Sequence, residues 1–219
     1  ILLAFLLVDV PIYRNALIVA GVMPPAVGII SLTYILDGDL NTRFIAEVAG
    51  YIISLFVIPA TTILCFGEAV TITQIVRIIL LVIVSPFIIS RLLVWINSRK
   101  QIIPESTTEI IVNLCYGVLF YITIGVNIDV FMNNFLDLIN LFVIFIILRF
   151  GLGVIIYFIL RKRISADKRA LYILFGTFKN GSAGMAITVM LFGIKATVPF
   201  AIFSIIASFY IMFLKWFLD

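Results

Sequence analysis

The chain alternates long apolar runs with short polar turns, and each run approaches the roughly 20 residues that cross a bilayer as a helix. Residues 1–8 read as the tail of a helix, and Asp9 to Pro11 as a turn. An apolar segment follows over residues 12–36, interrupted at Met23-Pro24-Pro25 and again at Gly28. Helices are then predicted over residues 40–66 and 72–96, the second kinked at Pro86. A polar loop at residues 98–108 precedes helices at 109–127 and 138–160. A second interrupted segment covers residues 168–192, and a last helix covers 197–218. The chain opens at Ile1 inside an apolar run, without the basic start of a signal peptide, so the start reads as a truncation with preceding helices missing.

Two of these segments depart from a continuous membrane helix. One carries Pro24, Pro25 and Gly28; the other carries Lys179-Asn180-Gly181-Ser182-Ala183-Gly184. Each is followed by a glycine before the next helix, Gly38 and Gly193. Broken helices at matching places in two halves are the sequence pattern of an inverted-repeat transporter with its site near the midplane. Unwound backbone is tolerated at that depth only where protein or a watery cavity satisfies it. Taken singly, the first break reads equally as a proline kink and the second as a small-residue packing face. The expected fold class is an all-α integral membrane protein with two discontinuous crossing helices. Residues 1–97 would hold the end of the first repeat and the start of the second, and 98–219 the remainder.

Composition narrows the class further. Hydrophobic residues make up 64% of the 219 positions and charged residues 12%, with a mean hydropathy of +1.29. A soluble domain of this size cannot hide so much apolar surface, so the lipid bilayer is the expected solvent. The net charge of +4 does not point to nucleic acid, because the basic residues gather at helix ends, as orientation in a membrane requires. Arg161, Lys162, Arg163, Lys168 and Arg169 flank one loop and Arg91, Arg99 and Lys100 another, while residues 129–137 contain no Lys or Arg. The two basic loops and Lys215 fall on one side, predicting a multi-pass cell-membrane protein with a cytoplasmic C-terminus. Cys65 and Cys115 lie in apolar runs and read as small hydrophobes. The absence of histidine removes histidine catalysis and histidine metal sites.

Ionisable residues at membrane depth are candidate functional groups because they are expensive to keep there. Arg149 lies near the middle of its helix and offers a planar fork for a carboxylate or sulfonate; the alternative is a structural partner. Lys179 at the second break reads as a proton-titrating group, a fixed cation or a snorkelling surface lysine. Glu47 follows Arg43 by one turn, so a simple i,i+4 ion pair is its plainest reading. Asn180 and Ser182 would offer polar atoms to a substrate beside Arg149. Asn180-Gly181-Ser182 also spells a glycosylation sequon, at a depth where that machinery does not reach.

At these residues the chain resembles the bile acid:sodium symporter family. That family's Pro-Gly-Gly break and following Thr-Tyr-Leu-Ala-x-Gly-Asp are echoed by Pro24-Pro25-Ala26 and by Thr33-Tyr34-Ile35-Leu36-Asp37-Gly38-Asp39. Its helix-five proline falls on Pro59, its His-Asn-x-x-Gly-type motif on Arg149-Phe150-Gly151-Leu152-Gly153, and its Gln-Asn break on Lys179-Asn180. Pro199 to Ser204 echoes the stretch after that break. Auxin-efflux-type carriers share the Met-Pro-Pro-Ala feature. The resemblance implies ten helices in two inverted five-helix repeats, with about two and a half absent here. It also places Ile29-Ile30, Arg43, Glu47, Phe175 and Lys179 where the family holds its sodium ligands. A hard cation needs oxygen ligands, so the expectation is a chain without the usual sodium sites and without a cofactor. Lys179 and Glu47 are expected to meet as an ion pair in that space.

The leading expectation is a secondary transporter of a small organic anion, working by alternating access. A proton-coupled cation antiporter of similar fold is the alternative within transport. A passive channel or structural membrane protein is the alternative outside it, although a channel would carry polar rings along several helices. An enzyme is not expected, since no Ser/His, acid pair or metal-ligand spacing is present.

Overall fold

The computed structural model describes residues 2–26, 28–29, 32–33, 36, 40–67, 70–100, 104–133 and 135–218. Among these residues every named element is a helix. In chain order they are α1 (Leu2–Leu7), α2 (Pro11–Val22), α3 (Leu40–Phe66), α4 (Ile72–Ile78), α5 (Ser85–Lys100) and α6 (Glu105–Val126). Then follow α7 (Ile128–Asn133), α8 (Phe135–Ile146), α9 (Leu152–Leu160), α10 (Ala166–Thr177), α11 (Gly181–Phe192) and α12 (Val198–Leu218).

Four stretches are long and apolar enough to cross a membrane: Ile45–Phe66, Ile72–Asn97, Leu138–Leu160 and Ile194–Leu218. Their mean hydropathies are 2.1, 2.5, 2.7 and 2.1. Their outward faces are apolar, with Leu64 84% and Leu80 53% exposed. This pattern of exposed leucine fits a chain whose solvent is lipid.

Two of the spans contain a π turn. Ile79–Val84 joins α4 to α5, and the Ser85 N–H bonds back to the Leu80 carbonyl, five residues away. Pro86, expected to kink this helix, follows at once. Its missing N–H and its ring demand room in the preceding turn, and the widened turn provides it. The second π turn, Ile147–Gly151, joins α8 to α9 and carries Arg149. Residues 129–137, expected as a loop, instead begin in the short helix α7, and α8 starts at Phe135, before the predicted position 138.

The interior is built around α12. Val198, Ile202 and Ile206 pack against Leu17 and Ile18 of α2 and Leu141 and Phe145 of α8. Phe200 joins Ala16, Ala20 and Met23 to Ile187 of α11. Tyr210 and Leu214 close over Ile29, Ile173, Leu174 and Phe178. Both interrupted segments therefore lie against one continuous helix, which fixes where their breaks meet.

Candidate site at the crossing of two broken helices

Consecutive prolines end α2. Neither Pro24 nor Pro25 has a backbone N–H to donate, and the ring of Pro24 drives Met23 into an extended conformation, φ −64° and ψ 147°. Helix is regained at Ile29, Leu32 and Thr33, where the Thr33 hydroxyl bonds the Ile29 carbonyl at 2.7 Å. Most of the Thr33-to-Asp39 motif, including Gly38, lies outside the described residues, as do Ile30 and the Arg43 side chain.

In the second segment α10 ends at Thr177, and Phe178 is extended at φ −102° and ψ 111°. Asn180 starts α11 as its N-cap, a position asparagine favours because its side-chain oxygen accepts from a free N–H of the first turn. That bond, from the Ala183 N–H to Asn180 Oδ1, is 3.0 Å. The Ser182 hydroxyl donates to the same oxygen at 2.9 Å.

The two breaks pair with each other. Pro25 and Lys179 form an antiparallel bridge. The Ala26 N–H donates to the Phe178 carbonyl at 3.2 Å, and the Asn180 N–H donates to the Pro24 carbonyl at 2.8 Å. Backbone groups freed by one interruption are thus satisfied by the other, which answers the cost of unwinding a helix away from water.

A third helix, not foreseen from the sequence, fastens this pairing. On α3, Gly50 faces Pro25 so closely that a Cβ there would lie 2.8 Å from the proline Cδ. Its neighbour Tyr51 accepts a hydrogen bond at its hydroxyl from Asn180 Nδ2, at 2.8 Å. Gly184 plays the corresponding part on α11, where a Cβ would meet Phe200 at 2.6 Å and Met23 at 2.9 Å. Gly181 is less tight, at 3.3 Å from the ring of Phe203. Gly28, by contrast, has open space where its Cβ would stand.

Arg149 is 3% exposed. Its guanidinium lies over Phe203 at 4.0 Å, Phe178 at 4.7 Å and Tyr210 at 5.9 Å from the ring centroids. Neither Nη1 nor Nη2 has a hydrogen-bond partner among the described residues. Ring faces are electron-rich, and a desolvated cation over one gains about 2 kcal/mol, which offsets part of the cost of burial. Gly153, one turn on, touches the Tyr210 hydroxyl where a side chain would otherwise stand.

Phe178 and Lys179 are adjacent in the extended break between α10 and α11, so their side chains leave on opposite faces. Arg149 occupies the Phe178 face. Lys179 leaves on the other, half-buried. Among the described residues no ion pair joins Lys179 to Glu47, so the expected fixed pair is not built. Glu47 is half-buried on α3, one turn before Tyr51, and is engaged elsewhere.

The crossing therefore presents Lys179, the positive end of α11 with its cap, and Arg149 behind Phe178, an electropositive set suited to an anion. No family model, no curated protein and no solved structure matches this chain.

Proposed function

We propose that this chain belongs to a secondary transporter that moves a small organic anion by alternating access. The observation that carries the reading is the backbone bridge between two broken helices, with the half-buried Lys179 at its centre. Paired breaks are the arrangement in which inverted-repeat carriers place a midplane site, and the likeness to bile acid:sodium symporters belongs to the same reading. Lys179 stands where that likeness would place a cation-binding side chain, so the fixed ammonium replaces a mobile sodium ion. Transport is then uncoupled or proton-linked.

Uptake by the full-length protein in proteoliposomes, with sodium and proton gradients imposed separately, tests this. Saturable uptake of organic anions is expected, with no stimulation by sodium over potassium. Sodium-driven uptake would overturn the coupling, and proton-driven exchange of inorganic cations without anion uptake would favour an antiporter.

Arg149 supplies the second positive charge, closed off by Phe178 and Phe203 and reached by the anion when the helix bundles part. Arg149→Lys keeps the charge but loses the planar fork, and is expected to weaken anion affinity about tenfold, one hydrogen-bonded contact's worth. Uptake with unchanged affinity in both Arg149→Lys and Arg149→Gln would make the residue structural.

The basic turn at residues 161–169 and the C-terminus are placed in the cytoplasm. In a protein lacking Cys65 and Cys115, an impermeant thiol reagent should label Met132→Cys in intact cells and Ser165→Cys only after permeabilisation. The opposite pattern inverts the topology.

A further inference from the structure

The turn that joins α9 to α10 holds five Lys or Arg residues between positions 161 and 169, with Asp167 its one carboxylate. It is closely built. The Arg161 N–H bonds the Tyr157 carbonyl at 2.8 Å, and the Arg163 N–H bonds the Leu160 carbonyl at 2.9 Å. Arg161 lies over the ring of Phe158 and Arg169 over that of Tyr157, each at 4.9 Å. Arg169 Nη1 also donates to the Arg161 carbonyl at 3.2 Å. Two arginines thus brace the turn, while Lys162, Arg163 and Lys168 remain exposed.

Depth follows from length. The span Leu138–Leu160 has 23 residues, about 34 Å of helix against a hydrocarbon core of roughly 30 Å. Residue 161 therefore emerges at the level of lipid phosphates. The ring of Phe217 meets Tyr157 at 4.7 Å, which brings the end of α12 to the same place with exposed Lys215 and Trp216. Tyr172 is half-exposed on α10 close by in sequence. Aromatic rings beside basic groups are the side chains that settle at the headgroup layer.

We propose that this turn is a binding site for anionic phospholipids, whose phosphates are taken by Lys162, Arg163 and Lys168, with Lys215 adding positive potential from the side. The site does not depend on what the protein transports. It is nevertheless tied to the crossing, because α10 runs from the turn directly to Phe178. Gly176 of α10 also lies directly against the Cδ1 methyl of Ile156 of α9, which packs the two helices closely.

The experiment uses full-length protein in phosphatidylcholine bilayers with and without phosphatidylglycerol. Co-purified lipid is counted by native mass spectrometry after mild detergent extraction. The variant Lys162→Gln/Arg163→Gln/Lys168→Gln changes exposed positions only and should fold normally. It is expected to retain phosphatidylglycerol at least about tenfold less, as the loss of several basic contacts to an anionic surface implies, with phosphatidylcholine unchanged. Arg77→Gln, an isolated exposed cation on α4, should retain the full amount. Excess inorganic phosphate should displace none of it. Equal retention by the triple variant, equal loss in Arg77→Gln, or displacement by free phosphate would each overturn the proposal.

Discussion

Replacing Asn180 with alanine is expected to destabilise the protein by about 2–4 kcal/mol and to abolish uptake. The side chain does three things at once: it caps α11 through Ala183, accepts from Ser182 and donates to Tyr51. Loss of an N-cap alone costs about 0.5–2 kcal/mol. Loss of the hydrogen bonds to Tyr51 and from Ser182 adds roughly 1–3 kcal/mol. The total is a sizeable part of the roughly 5–15 kcal/mol that holds a domain folded. Asn180→Asp keeps the cap acceptor and can accept from Tyr51, so it should melt closer to the wild type than Asn180→Ala does. Thermal unfolding in detergent beside uptake in liposomes measures both parts. An Asn180→Ala protein that melts with the wild type would mean that the two backbone bonds alone hold the crossing.

Lys179→Gln is expected to behave in the opposite way, with stability kept and anion uptake lost. The two hydrogen bonds that join the breaks use the Phe178 carbonyl and the Asn180 N–H, which flank position 179, so the change leaves both in place. Removing a cation that would meet a carboxylate away from water costs about 3–5 kcal/mol of binding, beyond a hundredfold in affinity. Lys179→Arg, which keeps the charge, should retain measurable uptake. Saturable uptake at wild-type affinity in Lys179→Gln would show that the anion is not met at the crossing.

Much of this arrangement can be read from the chain because it follows from local chemistry. Two prolines in succession cannot continue a helix, and asparagine before glycine starts one, so both interruptions are visible without a structure. Apolar run lengths give α3 its observed bounds, Leu40–Phe66. Tyr51 was not legible: it meets Asn180 across 129 positions of sequence, and a tyrosine in an apolar helix looks like any interfacial aromatic. Gly50 was hidden for the same reason, since its meaning lies in the proline it faces. Arg149 stands out in the sequence by its charge, but its surroundings do not. The rings that enclose it come from positions 178, 203 and 210, and no local pattern groups them. Glu47 and Lys179 share a site only through the analogy with an ion site, and among the described residues no ion pair joins them.

The π turn at Ile147–Gly151 also sets the rotational phase of its span. Leu141, Phe145, Arg149 and Gly153 are all buried and stand four residues apart. In a regular helix at 3.6 residues per turn, twelve residues at that spacing would swing the last member about 120° away from the first. One extra residue accommodated in a wide turn takes back roughly 100° of that swing. The inward stripe therefore stays straight from the middle of the span to Gly153. Deleting a single residue from the turn would restore regular winding with Gly153 eleven residues on from Leu141, a swing of only about 20°, and so leave everything beyond it in the same phase. Gly153 would still turn its hydrogen to Tyr210, and the lipid-facing residues would still face outward. A one-residue deletion here that spares Arg149 should accordingly do less damage than the same deletion in the regular turns of α9, which would rotate the rest of that helix by about 100°.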